Sequence, residues 1–289
     1  SPATQTPSAN PVTRFLRATE IDTRLLGMVG ALLLIWIGFH LTGYYKNGFA
    51  AFLTPRNLWN LSVQTSSIGI MATGMVLVIV TRHIDLSVGS ILGLAAIVMG
   101  VLQVNILPQY LGLGHPLIWI IAVLAGILVG ALVGAFHGWL IAYLTIPAFI
   151  VTLGGLLVWR GVAFLVARGE TISPVDPTFA LLGGGPYGAV GATGSWIVGL
   201  LAIVAILWIL VSSRKRRADH GFAQRPVWAE GVLAVLGCGA VIGSVLLVNA
   251  YTWPKGIVNQ YAAANAIVVP EGGLDISYGF AIPVLIMIG

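Results

Sequence analysis

Charged side chains are scarce in this sequence: Asp, Glu, Lys and Arg make up 8% of its 289 residues, whereas 58% of the residues are hydrophobic. An ordinary soluble domain contains roughly 25% charged residues. From Leu86 to Trp159 the sequence contains no charged residue at all. Because a soluble helix keeps a polar face toward water, an interval of this kind excludes a soluble fold and predicts helices that cross a lipid bilayer.

Cysteine is almost absent, and the common catalytic motifs are missing. The single cysteine, Cys238, lies in an apolar run, so the chain can form neither an internal disulfide nor a site of several thiolates. The sequence has no phosphate-binding GxxxxGK[ST] loop, no HExxH and no GxSxG. We therefore expect no enzyme activity, no catalytic residue, no bound metal and no cofactor.

Long apolar runs predict an all-α, polytopic membrane helix bundle of about seven to eight transmembrane helices. A last apolar run begins at Ile276 and is shorter than the roughly 20 residues that a crossing needs. The seven longer runs cover residues 25–41, 58–80, 86–107, 117–143, 146–167, 196–211 and 227–248.

The basic residues predict the orientation of the bundle. They concentrate near the N-terminus and in the segment 212–226, and Lys and Arg are retained on the cytoplasmic side of membranes. This predicts a cytoplasmic N-terminus, and it argues against a nucleic-acid partner because no basic patch is interleaved with aromatics. The residues concerned are Arg14, Arg17, Arg24, Arg214, Lys215, Arg216, Arg217 and Arg225.

The predicted organisation is a cytoplasmic tail, residues 1–24, followed by one transmembrane bundle, residues 25–289. Two glycine- and proline-bearing segments, 168–195 and 251–275, are expected to be external loops with short helical pieces. The basic segment 212–226 is expected to be a cytoplasmic loop. Such external loops are either partner-binding segments or simple connections.

One predicted span carries four glycines at a spacing of four residues, together with a histidine. We expect the glycines to form a flat row against which another helix packs closely. His137 lies beside this row, where it either lines a polar pathway or makes a hydrogen bond within the bundle. The glycines are Gly126, Gly130, Gly134 and Gly138.

Two further polar segments are candidates for function. The second span opens with hydroxyl and amide side chains, among them Gln64, Thr65 and Ser66, which suit either a hydroxylated solute or a solvated helix end. The segment around Arg82, Asp85 and Ser87 comes just before a charge-free helix. There the Asp85 carboxylate is expected to cap free backbone N–H groups, with a substrate contact as the alternative, and to lie close enough to Arg82 for pairing.

The motifs in these segments strongly resemble a known family. Residues 74–90 read GMVLVIVTRHIDLSVGS, and residues 147–161 read PAFIVTLGGLLVWRG. Both resemble permease subunits of bacterial ATP-binding-cassette sugar importers of the ribose and xylose type, the xylose type being closest. The family pattern is GMxxVIxxxxIDLSVGS, and its second motif is PxFIVTLxG followed by RG.

The resemblance implies a multi-pass subunit of the bacterial inner membrane that moves a monosaccharide inward through a dimeric pore. Its implied partners are the lipid bilayer, a second permease copy, a cytoplasmic ATPase and a periplasmic sugar-binding protein. Gln64, Thr65, Thr152 and Arg160 match polar positions near the pathway in the family.

The family's ATPase-coupling signature, GGNxEAA, lies beyond the point where these 289 residues stop. Two hypotheses follow. The sequence is either the N-terminal portion of an importer permease or a truncated homologue. The truncated homologue would serve as a non-transporting accessory subunit of a larger membrane assembly, such as a photosynthetic or respiratory complex.

Overall fold

A computed structural model of the chain describes residues 15, 16, 18–49, 52–270 and 273–289. The described residues are mainly helical, which confirms the predicted fold class. Arg14, Arg17 and most of the predicted tail lie outside them, as do two residues of the segment 251–275. The helices are α1 (Thr23–Asn47), α2 (Pro55–Val80), α3 (Val88–Val101), α4 (Leu107–Leu111), α5 (Leu117–Ala142), α6 (Ala148–Ala167), α7 (Pro177–Leu181), α8 (Gly191–Asp219), α9 (Val227–Asn249), α10 (Lys255–Ala264) and α11 (Ile282–Ile288).

Seven helical spans among the described residues are long and apolar enough to cross a membrane, and each overlaps one of the seven long runs recognised in the sequence. The third span is not a single α-helix, because a π-helical turn (Leu102–Ile106) connects α3 to α4. The most apolar stretch of each span is at most 22% buried within the chain. Apolar side chains remain exposed in this way when lipid or another subunit, rather than water, surrounds them.

The chain divides into two compact units. One comprises the described residues up to 62 and from 189 to 280, and the other comprises residues 63–188 and 281–289. In the first unit, α8 and α9 pack side by side. In the second, α3 packs against both α5 and α6, so these three helices form one cluster.

In the first unit, the chain after α9 is held by aromatic side chains. The ring of Tyr278 stacks on that of Tyr251 at a centroid distance of 4.3 Å. The indole N–H of Trp59 donates a 2.8 Å bond to the carbonyl oxygen of Gly279. Residues 252 and 277 form an isolated antiparallel bridge. The segment 251–280 is therefore anchored at both of its ends.

The end of α8 differs from the sequence prediction. Helix α8 continues to Asp219, so the basic residues from Arg214 to Arg217 lie on its last turns rather than in a loop. Basic side chains are favourable there because a helix C-terminus carries partial negative charge. The chain then turns at Gly221, whose φ is 67°. The segments 168–195 and 251–275 each contain one short helix, α7 and α10 respectively.

Candidate functional site

The turn between α2 and α3 is organised by Asp85. Its carboxylate accepts two hydrogen bonds from Ser87, one from the backbone N–H at 2.7 Å and one from the hydroxyl at 2.6 Å. Helix α3 starts at Val88, two residues later than the predicted run. The carboxylate thus holds the turn ahead of the helix instead of capping N–H groups inside it.

Arg82 does not contribute to this turn as predicted. Its backbone is left-handed, with a φ of 60°, and its side chain is exposed. In the described part of the chain, the ion pairs join Arg214, Arg217 and Arg225 to glutamates, and none joins Arg82 to Asp85. Asp85 therefore has Ser87, rather than a cation, as its partner.

His137 connects this turn to two helices. It lies on α5, is 6% exposed, and its Nδ1 is 3.3 Å from the Ser87 hydroxyl. On the other side of the ring, Nε2 accepts a 2.9 Å hydrogen bond from the indole N–H of Trp159 on α6. The Ser87 hydroxyl proton points to Asp85, so the geometry assigns the ring proton to Nδ1, which donates to Ser87.

The result is a directed chain of hydrogen bonds: Trp159 donates to His137, His137 to Ser87, and Ser87 to Asp85. We call these four residues the Asp85 network. The histidine is neutral in this arrangement because only an unprotonated Nε2 can accept the indole proton. The order also differs from that of a hydrolase triad, in which the acid bonds to the histidine and the serine is free to attack.

Gly155 on α6 makes room for the imidazole ring. A Cβ atom at this position would lie 2.5 Å from Cε1 and 2.7 Å from Nε2 of His137. Side-chain carbons do not approach this closely, so any larger residue would displace the ring. The glycine at position 155 is therefore explained by its contact with His137, which the sequence alone does not indicate.

Thr152, one helical turn earlier on α6, also fixes the turn. Its hydroxyl is within hydrogen-bond distance of the carbonyl oxygens of Ala148, at 2.8 Å, and Ile84, at 3.2 Å. The side chain is 3% exposed. The hydroxyl thus attaches the residue before Asp85 to α6, and the structure brings Thr152 and His137 together around one turn.

The other predicted pathway residues lie elsewhere. Gln64 and Thr65 on α2 and Arg160 on α6 have exposed side chains. Ser66 is fully buried, and its hydroxyl donates a 2.6 Å bond to the carbonyl oxygen of Val63. An apolar cleft of about 290 Å³ borders His137 and Trp159. The surroundings of the Asp85 network therefore favour helix packing rather than contact with a hydroxylated solute.

The glycine row packs at one of its four members. A Cβ on Gly126 would lie 2.6 Å from the sulfur of Met99 on α3. A Cβ added to Gly130, Gly134 or Gly138 would have no atom of another described residue within 4 Å. Residues four apart advance by about 40° around a helix, so the row winds away from α3. The buried face instead passes through Ala122, Gly126, Val133 and His137.

A second polar cluster joins the chain before α1 to the end of α8. The Glu20 carboxylate accepts hydrogen bonds from Arg217, at 2.8 and 2.9 Å, and from Arg225, at 2.6 Å. These bonds from two guanidinium groups lower the pKa of Glu20 from 4.5 to about 2. Arg214 pairs with Glu230 at 2.7 Å. Neither glutamate was singled out from the sequence, because each is separated from its partner by at least 16 residues.

Comparison with known proteins identifies the family. The family described as "Branched-chain amino acid transport system / permease component" matches residues 57–215. These residues include both motifs and the whole Asp85 network. The chain belongs to this family.

Similar proteins include permease proteins of xylose transport and autoinducer 2 import systems. The xylose transport system permease protein XylH of Escherichia coli K12 is 33% identical over 232 residues, which is 80% of this chain and 55% of XylH. XylH of Haemophilus influenzae is 33% identical over 70% of this chain and 50% of its own length. The autoinducer 2 import system permease protein LsrC of Escherichia coli O157:H7 is 30% identical over 76% of this chain and 64% of its own length.

The chain spans about half the length of the XylH proteins that it matches. No solved structure matches it significantly. The resemblance to xylose-type permeases inferred from residues 74–90 and 147–161 is thereby confirmed. The described residues include seven helices able to cross a bilayer, and this permease-family member is a multi-pass protein of the inner membrane.

Proposed function

We propose that the chain is part of the membrane-spanning permease subunit of an ATP-driven importer for a monosaccharide of the xylose or ribose type. The family match over residues 57–215 is the observation that carries this proposal. The relatives named for xylose support the choice of a pentose as the first substrate to test. The fold supports it as well, because both family motifs contribute residues to the Asp85 network.

The proposed partners follow from this function. A cytoplasmic ATPase would supply the energy, a periplasmic sugar-binding protein would deliver the solute, and a second permease copy would complete the pore. We place the N-terminus and the basic end of α8 in the cytoplasm. The retention of Lys and Arg on that side of membranes supports this orientation.

Within the chain, we assign different roles to the residues singled out from the sequence. Gln64, Thr65 and Arg160 are proposed to line the pathway, since their side chains are exposed and can reach a solute or a second subunit. His137 and Thr152 are proposed to position the turn at Asp85, because their polar atoms bond to neighbouring groups in the chain.

Isolation from native membranes tests the proposal. The tagged protein is expected to be recovered with an ATPase, whose ATP hydrolysis rises when a sugar-loaded binding protein is added. A panel of pentoses and hexoses then identifies the sugar. Stoichiometric recovery with a photosynthetic or respiratory complex, without an ATPase, would refute the importer and support the accessory-subunit hypothesis.

A further inference from the structure

A polar cavity of about 540 Å³ opens beside the π-helical turn, away from the Asp85 network. It lies between this turn and the chain that follows α6, within the second unit. Valine, isoleucine and alanine side chains form its apolar wall. The polar lining consists of Asn105, Gln109, Arg168, Glu170, Thr171 and Ser173.

The backbone around this cavity is built in a specific way. Helix α6 ends at Ala167, and the next two residues are left-handed: Arg168 has a φ of 54° and Gly169 a φ of 70°. These two residues reverse the chain and direct the segment 170–176 past the π-helical turn. π-Helical turns are rare in proteins and occur frequently at functional sites.

Two contacts attach this segment to α3 and the π-helical turn. Ile172 packs on Gly100, where a Cβ would lie 3.1 Å from its Cγ2 atom. The backbone N–H of Asp176 donates a 3.1 Å hydrogen bond to Oε1 of Gln103, whose side chain is 4% exposed. The cavity is therefore bounded by an anchored segment rather than by a loose loop.

The lining has the chemistry of a site for a neutral molecule. The charge of Arg168 is balanced by that of Glu170, and the amides and hydroxyls both donate and accept hydrogen bonds. The described residues contain no cluster of His, Cys, Asp and Glu suited to a metal ion. An apolar wall opposite hydrogen-bonding groups matches a sugar ring, which has C–H faces and hydroxyl edges. The volume also falls within the range of small-molecule pockets.

We propose that this cavity binds one neutral, polyhydroxylated molecule of monosaccharide size. The choice of a monosaccharide rests on the proposed function. The inference that the ligand is small, neutral and hydrogen-bonding rests on the cavity alone. The predicted topology assigns the segment 168–195 to the external side, so the bound molecule would sit at the entrance side of the permease. The site is distinct from the exposed residues Gln64, Thr65 and Arg160, which we assign to the pathway.

Direct binding tests this proposal without any ATPase or binding protein. The purified protein in lipid nanodiscs is titrated with D-xylose and D-ribose by isothermal calorimetry. Asn105→Ala removes a lining amide but keeps the backbone oxygen that accepts the 2.6 Å bond from Gln109. It should weaken binding roughly three- to tenfold, the effect of losing one or two hydrogen bonds. Thr171→Trp fills the cavity and should abolish binding.

Gln260→Ala is the matched control, since it removes an exposed amide on α10 in the other unit and should leave the affinity unchanged. An unchanged thermal unfolding midpoint shows that each variant is folded. The proposal is overturned if neither sugar binds the wild-type protein at up to about 10 mM, a limit of weak affinity. It is also overturned if folded Thr171→Trp binds like wild type.

These outcomes are separable from the fate of the importer proposal. If Thr171→Trp still binds sugar and the complex still shows sugar-stimulated ATP hydrolysis, the cavity is wrong and the importer stands. If sugar binds in the cavity but no ATPase is recovered with the chain, the cavity stands and the importer fails.

Discussion

The indole N–H of Trp159 donates a 2.9 Å hydrogen bond to Nε2 of His137, joining α6 to α5 inside a membrane span. An indole nitrogen can only donate, so this contact fixes which imidazole nitrogen accepts. The opposite nitrogen then donates to Ser87, whose hydroxyl donates to Asp85. Trp159 in the second motif is thereby linked, through His137 and Ser87, to Asp85 in the first motif.

Removal of the indole donor should loosen this connection. Trp159→Phe keeps an aromatic ring but removes the N–H, and we expect the free energy of unfolding to fall by about 1 kcal/mol, the net value of a typical hydrogen bond. The measurement is the thermal unfolding midpoint in detergent. Trp208→Phe, at a 65% exposed position on α8, is the control and should leave the midpoint unchanged. Equal effects of the two substitutions would contradict the assigned bond.

Neighbouring glycines on α6 provide a sharper comparison. Gly155→Ala places a methyl group against the His137 ring and should cost about 1–3 kcal/mol, as overpacking does. Gly154→Ala is its matched control, because no described atom lies within 4 Å of the added carbon. Thermal unfolding of both variants measures the difference. A Gly155→Ala protein as stable as Gly154→Ala would show that the ring is not packed as described.

The glycine row can be tested in the same manner. Gly126→Leu should destabilise the protein by about 1–3 kcal/mol because the new side chain meets Met99. Gly130→Leu should be tolerated by the isolated chain, since its position is open. Chemical unfolding of the two variants distinguishes them. Equal destabilisation would mean that the row packs within the chain over more than one glycine.

The Glu20 cluster predicts a pH dependence. The pKa of Glu20 is lowered to about 2 in the folded protein, so its contribution to stability is fully present above the ordinary value of 4.5. That contribution is lost as the pH falls from 4.5 through about 2. The unfolding midpoints of wild type and Glu20→Gln should therefore differ at pH 6 and converge toward pH 2.

Salt provides the control for this titration. At about 1 M NaCl, screening weakens exposed ion pairs, so the difference between wild type and Glu20→Gln should shrink at every pH. A difference that persists unchanged down to pH 2 would mean that the carboxylate does not act through its ionised form.

The spans were predictable from the sequence because their cause is local. A run of about 20 apolar residues has to be surrounded by lipid or protein wherever it lies in the fold, so the seven spans follow from composition. The motif around Asp85 was also recognisable, since its residues are consecutive. Its partner His137, by contrast, is 50 residues away from Ser87, and no spacing rule links them.

The parts of the site that were missed depend on how helices pack. The four-residue glycine spacing suggested one flat surface, but the 40° advance per step turns three of its members away from α3. Likewise, the π-helical turn at Leu102–Ile106 contains no glycine or proline from which it could have been predicted. The hydrogen bond from Asp176 to Gln103 in this turn joins residues 73 positions apart, a separation that no local sequence pattern indicates.

The importer proposal is tested most directly by uptake of radiolabelled D-xylose into proteoliposomes containing the complex isolated from native membranes. We predict uptake that requires ATP and a sugar-loaded binding protein and stops with a non-hydrolysable ATP analogue. D-ribose and a hexose panel are measured in parallel to identify the preferred sugar. A folded, intact complex that accumulates none of these sugars in the presence of ATP would contradict the proposal.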